Sequence, residues 1–155
     1  PEYERLQFGS LRRPKPEQIK RGTGWFVMPA REEFEAIYQT SVRPAFRKNE
    51  IDVSDAVVAF DSESLLSDVA HYLRTIEVIV VEMTTLQPEL MYVLGLCHAM
   101  GRCPILIVRK DEEVPFNLQA LRCVEYEASR EGMFELRENL ARAIRTLLIA
   151  SRAGS

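Results

Sequence analysis

The chain has 155 residues, 46% of them hydrophobic and 28% charged, with a net charge of −3. That is the length of one domain, long enough to bury a core without disulfide or metal staples, and its acidic balance argues against nucleic acid, which needs a basic surface. No apolar run approaches the ~20 residues of a membrane span. The polar start carries no recognisable signal peptide, so a cytoplasmic location is expected. A chain beginning at Pro1 reads as a processed protein or a fragment of a longer one. The cysteines Cys97, Cys103 and Cys123 are odd in number and form no C-x-x-C pair, so buried free thiols are expected and a metal site is not.

Residues 1–24 read as a lead-in segment or linker, and 25–155 as a single α/β domain. The stretch Arg12-Arg13-Pro14-Lys15-Pro16 has the composition of a solvated linker, with a docking arm as the alternative. Trp25-Phe26-Val27-Met28, ended by Pro29, reads as the first strand. Phe34, Ile37, Tyr38, Val42, Ala45 and Phe46 recur at helical spacing, which predicts a helix over Glu32–Lys48 that Pro44 should kink. Ala56–Phe60 is the expected second strand, and Ser62 caps a helix running through Leu73.

Val78–Val81, apolar on both faces, has the pattern of a central parallel strand. Pro88 suits the first turn of a helix that runs to Met100, with Gly101 at its end. Ile105–Val108 and Leu121–Tyr126 complete the strands, and a last helix spans Arg130–Ser151. Right-handed crossovers then give a three-layer, doubly wound parallel sheet of five strands in the order 2-1-3-4-5.

In such sheets ligands bind beyond the carboxyl ends of the strands, near the switch in strand order. Four loops qualify: Met28–Glu32, Phe60–Ser64, Glu82–Glu89 and Arg109–Phe116. None holds a G-x-G-x-x-G or a P-loop, and no cofactor is expected. A crevice lined by Met28, Asp61, Glu82, Thr84, Glu89 and Tyr92 is predicted.

The run from Glu82-Met83-Thr84 through Pro88, Tyr92, Leu94-Gly95, His98-Ala99 and Gly101 resembles the nucleoside 2-deoxyribosyltransferase-like family, a flavodoxin-like group related in architecture to TIR domains. Phe26-Val27-Met28-Pro29 and Val114-Pro115-Phe116 add to the likeness, which covers Trp25 to Tyr126. It implies N-glycosidic chemistry, in which a glutamate of the motif Y-E-L-G stabilises or attacks an anomeric carbon. Here that position holds Val93, the motif's aspartate is Glu82, and its N-P-N segment reads Gln87-Pro88-Glu89. The scaffold residues match while the chemistry-bearing ones depart, so the resemblance implies a degenerate member that senses a nucleoside or nucleotide or binds another protein. The alternative is an active N-ribosyl hydrolase or transferase on a nucleoside, nucleotide or NAD, with Glu82 or Glu89 as a displaced carboxylate. His98, among apolar neighbours, is expected to be partly buried rather than catalytic. Family members commonly oligomerise, and the apolar Phe134, Leu140, Ile144, Leu147, Leu148 and Ile149 on the last helix, more than one sheet face needs, add to the expectation of a homodimer.

Overall fold

The computed structural model describes residues 12–53, 65–112 and 122–154. After a 3₁₀ turn at Pro16–Gln18, the elements run β1 (Lys20–Val27), α1 (Glu32–Ile37), a π turn (Tyr38–Val42), α2 (Arg43–Arg47), β2 (Asp52–Val53), α3 (Leu65–Thr75) and β3 (Ile76–Glu82). Then come α4 (Pro88–Ala99), β4 (Ile105–Arg109), β5 (Cys123–Tyr126) and α5 (Arg130–Ala153). The strands form one sheet in the order β2-β1-β3-β4-β5, and every pairing is parallel. This is the doubly wound, flavodoxin-like α/β arrangement that the alternation of elements predicts.

The strand β3 is buried on both faces because successive side chains point to opposite sides. Val78 and Val80 join the core under α1, α2 and α5, with Phe34, Phe46, Leu140 and Ile144. Ile79 and Val81 join the core under α3 and α4, with Leu73, Leu90, Val93 and Leu94. Gly24 lies where β1 meets α2, and a Cβ there would sit 2.6 Å from the Phe46 ring.

Several boundaries differ from the sequence reading. β1 begins at Lys20, inside the expected lead-in, because Gly24 and Trp25 pair with Val78 and Ile79 of β3. β2 pairs with β1 through Asp52 and Val53, whereas Ala56–Phe60 and Ser62 lie outside the described residues. The predicted Glu32–Lys48 helix is broken by a π turn rather than kinked at Pro44. Proline supplies no N–H to the carbonyl of Thr40, and the preceding turn widens so that Arg43 N–H reaches Tyr38 O. Ser41, buried in this turn, donates its hydroxyl to Met133 O on α5 at 2.7 Å.

The thiols also depart from expectation. Cys97 is buried and pushed up to about 12 by that burial, but Cys103 is exposed and Cys123 is half-buried. Cys103 precedes β4, in the connection at the sheet's edge rather than in a strand. His98 is exposed as well, since it falls on the outer face of α4, one residue after the buried Cys97. No described helix is long and apolar enough to cross a membrane.

Candidate ligand site at the carboxyl ends of the strands

The central strand β3 ends in a carboxylate. Glu82 follows Val78 and Val80 in the period of two, so its side chain enters the α1/α5 face of the sheet. It is fully buried. One carboxylate oxygen accepts the N–H of Thr84 at 2.7 Å, and the other accepts the hydroxyl of Tyr126 at 2.7 Å. Burial nonetheless dominates and raises the carboxyl above its ordinary range, against the pull of the Thr84 and Tyr126 hydrogen bonds. The same burial, with the facing Glu82 charge, raises the phenol of Tyr126.

The network continues outward. Thr84 Oγ1 lies 3.5 Å from the Tyr126 hydroxyl and accepts the backbone N–H of Arg109 at 3.0 Å. Arg109, the last residue of β4, sends its guanidinium to Glu33 in the first turn of α1 at 3.2 Å. This pair sits at the rim, the arginine side chain 28% exposed and the glutamate 47%, so solvent weakens it. Two polar atoms at this end are buried with no partner among the described residues: Thr85 Oγ1 and Arg109 Nε. The turn that carries Thr85 is closed by Leu86 N–H to Met83 O at 3.1 Å. It holds Leu86 at φ 46, a left-handed conformation that disfavours a side chain.

The predicted crevice residues therefore separate into groups. Glu82 and Thr84 come together, with Tyr126 and Arg109 as neighbours the sequence reading did not name. Met28 is buried in the core on the α1/α5 face. Glu89 and Tyr92 stand exposed on α4, which packs on the other face of the sheet. Asp61 lies outside the described residues. Val93 is fully buried against the core under α3 and α4, on the face opposite Glu82. Tyr126 was discoverable: it ends the last strand at the ligand edge, and a buried tyrosine hydroxyl needs a partner. Arg109 opens one of the four candidate loops, so its place at this edge was legible but its contacts were not, and Glu33 lies just past the Met28–Glu32 loop.

Among the described residues no group of histidine, cysteine, aspartate and glutamate is arranged to hold a metal ion. No family model matches the chain, and no curated protein matches it. Solved structures do. The chain is similar to a flavoprotein from Thermotoga maritima, with a TM-score of 0.61, 9% identity and coverage of 84% of this chain and 37% of that one. A mutant flavo di-iron protein from the same organism matches with a TM-score of 0.62 at the same identity and coverage. The chain thus spans little more than a third of these neighbours, and at 9% identity the likeness shows the fold alone.

These neighbours overturn the nucleoside 2-deoxyribosyltransferase resemblance, and the structure supplies the reason. The matched residues of α4 serve the helix itself. Pro88 opens it, and Leu94 is core. Gly101, at φ 66, closes it in a Schellman turn, with Gly101 N–H to His98 O and Arg102 N–H to Cys97 O. Any helix following a central strand in this sheet has use for these features. Tyr92 and His98 are exposed, and no atom lies within 4 Å of where a Gly95 Cβ would be.

Proposed function

We propose that the chain is a non-catalytic module that binds a nucleoside-type ligand, a flat heterocycle rich in hydrogen-bond acceptors, at the carboxyl ends of β3, β4 and β5. The observation that carries this reading is a pair of buried polar atoms without a partner among the described residues, Thr85 Oγ1 and Arg109 Nε, flanking the Thr84–Arg109 hydrogen bond. A buried donor without an acceptor costs about 1–3 kcal/mol. A ligand acceptor facing Arg109 Nε offsets that cost on binding. The strained backbone at Leu86 lies in the same turn, in keeping with a turn shaped for contact rather than for stability.

A flavin phosphate does not fit the β1–α1 turn. The segment Met28-Pro29-Ala30-Arg31 has no glycine and no hydroxyl, and Pro29 lacks an N–H. The Arg31 N–H is already bound to Pro29 O at 2.8 Å. Glu32, Glu33 and Glu35 crowd the first turn of α1, where a phosphate would have to approach. Ligand recognition through base and sugar, rather than phosphate, follows from that charge.

Chemistry is disfavoured by the same geometry. Both oxygens of Glu82 are occupied and it presents no surface. Glu89 lies exposed on a helix that packs against the opposite face. A thermal-shift panel of adenosine, guanosine, cytidine, their monophosphates, NAD and flavin mononucleotide tests the reading. We expect one nucleoside and its monophosphate to raise Tm alike, by about 8 °C at 100 times the dissociation constant, and flavin mononucleotide to do nothing. Silence across the panel, or release of free base from any member, would overturn it.

A further inference from the structure

The opposite end of the sheet carries a second feature. A cleft of about 590 Å³ opens where β1, β3 and β4 begin, walled by residues 13–19 on one side and the end of α5 on the other. The volume suits a nucleotide-sized ligand. Among the described residues Arg13, Lys15, Arg21, Arg102 and Arg152 line it, against one carboxylate, Glu77. The ends of α4 and α5 add roughly −0.5 charge each. Of these cations, Arg13 and Lys15 form no salt bridge among the described residues.

Some of these cations have structural work. Arg102 donates to the carbonyls of Leu73, Ile76 and Glu77, tying the end of α3 to the start of β3. Arg152 grips the Glu77 carboxylate with two nitrogens at 2.7 and 2.9 Å, and Glu77 also accepts the Gly22 N–H at 2.7 Å. Capping of α3 explains Arg102, and the ion pair with Glu77 explains Arg152. Neither explains Arg13 and Lys15, which come from a separate segment held in place by its own geometry. Pro14 and Pro16 stiffen it, the Pro16–Gln18 turn fixes it, and the Lys15 N–H binds Gln18 Oε1 at 2.8 Å. Arg13 lies over Gly101, where a Cβ would come within 3.3 Å of its side chain. The basic proline-rich stretch that reads as a linker is, over residues 13–19, the wall of this cleft.

We infer that the cleft is an anion site for a small molecule carrying two or more linked phosphates, with Arg13 and Lys15 as its grips. The inference is independent of the strand-end reading, which concerns a different edge of the sheet and a neutral ligand surface. Cys103 is exposed and lines the cleft, so its reactivity reports occupancy.

The experiment follows iodoacetamide alkylation of Cys103 by mass spectrometry in the intact protein, with pyrophosphate, ATP or adenosine present. Pyrophosphate and ATP should each slow alkylation about tenfold at ten times the dissociation constant, and 0.5 M sodium chloride should abolish the effect because screening shortens to a few ångströms. Adenosine, the probe of the other site, should not protect. The double variant Arg13→Glu/Lys15→Glu, both positions being exposed, should keep its Tm and lose the protection. Absence of protection by millimolar pyrophosphate, protection by adenosine, or full protection in a folded double variant would overturn the assignment.

Discussion

Glu82 and Val93 show how far one side chain's environment can depart from the reading its position invites. Glu82 looks like a strand-end acid free to meet a ligand, yet it is sealed between Thr84 and Tyr126. Because burial raises its folded-state pKa above 4.5, its contribution to stability is fully present below that value and is lost as pH rises through the folded pKa. Glu77 has the opposite sense. Burial pushes it up, but Arg152 and the Gly22 N–H outweigh that and hold it low, so its contribution is lost as pH falls below the ordinary carboxylate range. Glu82→Gln should therefore flatten the decline that sets in as pH rises above 4.5 and leave the acid limb in place, as read by urea midpoints from pH 3 to 9. An unchanged slope above that pH would show that Glu82 is not its source. Val93 reads as a lost catalytic acid but is fully buried core. Val93→Glu should destabilise the fold by more than about 3 kcal/mol, measured by denaturant unfolding. A variant of native stability would mean that the position opens to solvent.

The elements were legible wherever a local rule had no competitor. The run Val78–Val81 and the pair Pro88 and Gly101 marked β3 and α4 because period, first-turn proline and left-handed glycine all agreed. The π turn was not legible. Pro44 announced a disturbance, but its form depends on Ser41 reaching Met133 of α5, a contact made across more than 90 residues of sequence. Likewise, nothing local in Arg12–Lys20 distinguishes a linker from a wall, since its partners, Gly101 and the end of α5, lie far along the chain. The start of α5 offers two tests. Ser129 caps it by accepting the Gly132 N–H at 3.0 Å, so Ser129→Ala should cost about 1 kcal/mol. A Cβ on Gly132 would lie 2.1 Å from the carbonyl oxygen of Glu127. Gly132→Ala should cost more than the cap, about 1–3 kcal/mol, through overpacking. Comparison of the two urea midpoints checks the order, and the reverse ranking would mean that the turn before α5 yields easily.

At the scale of the whole molecule, the sheet separates two chemistries. Its carboxyl edge is a hydrogen-bonded polar network beside the acidic first turn of α1, and its amino edge is a cationic cleft. The strand order and the ligand edge followed from the alternation of helices and strands, but the identity of the residues at that edge did not. Their convergence depends on the register Glu82↔Ile107 and Arg109↔Tyr126, which brings three strand ends level and leaves α4's exposed residues outside. On the proposed reading, a ligand's acceptor completes the Nε–H of Arg109, which has no partner among the described residues. That group has its own nitrogen–proton resonance, distinct from the backbone, and a titration of the ¹⁵N-labelled protein with the nucleoside selected by thermal shift observes it directly. Ligand should move the Arg109 Nε–H signal downfield to saturation, together with the Thr84, Thr85 and Leu86 amides, while Arg21, Gly22 and Glu77 at the other edge stay in place. A saturable response confined to the amino edge, or binding that leaves the Arg109 Nε–H signal where it began, would contradict it.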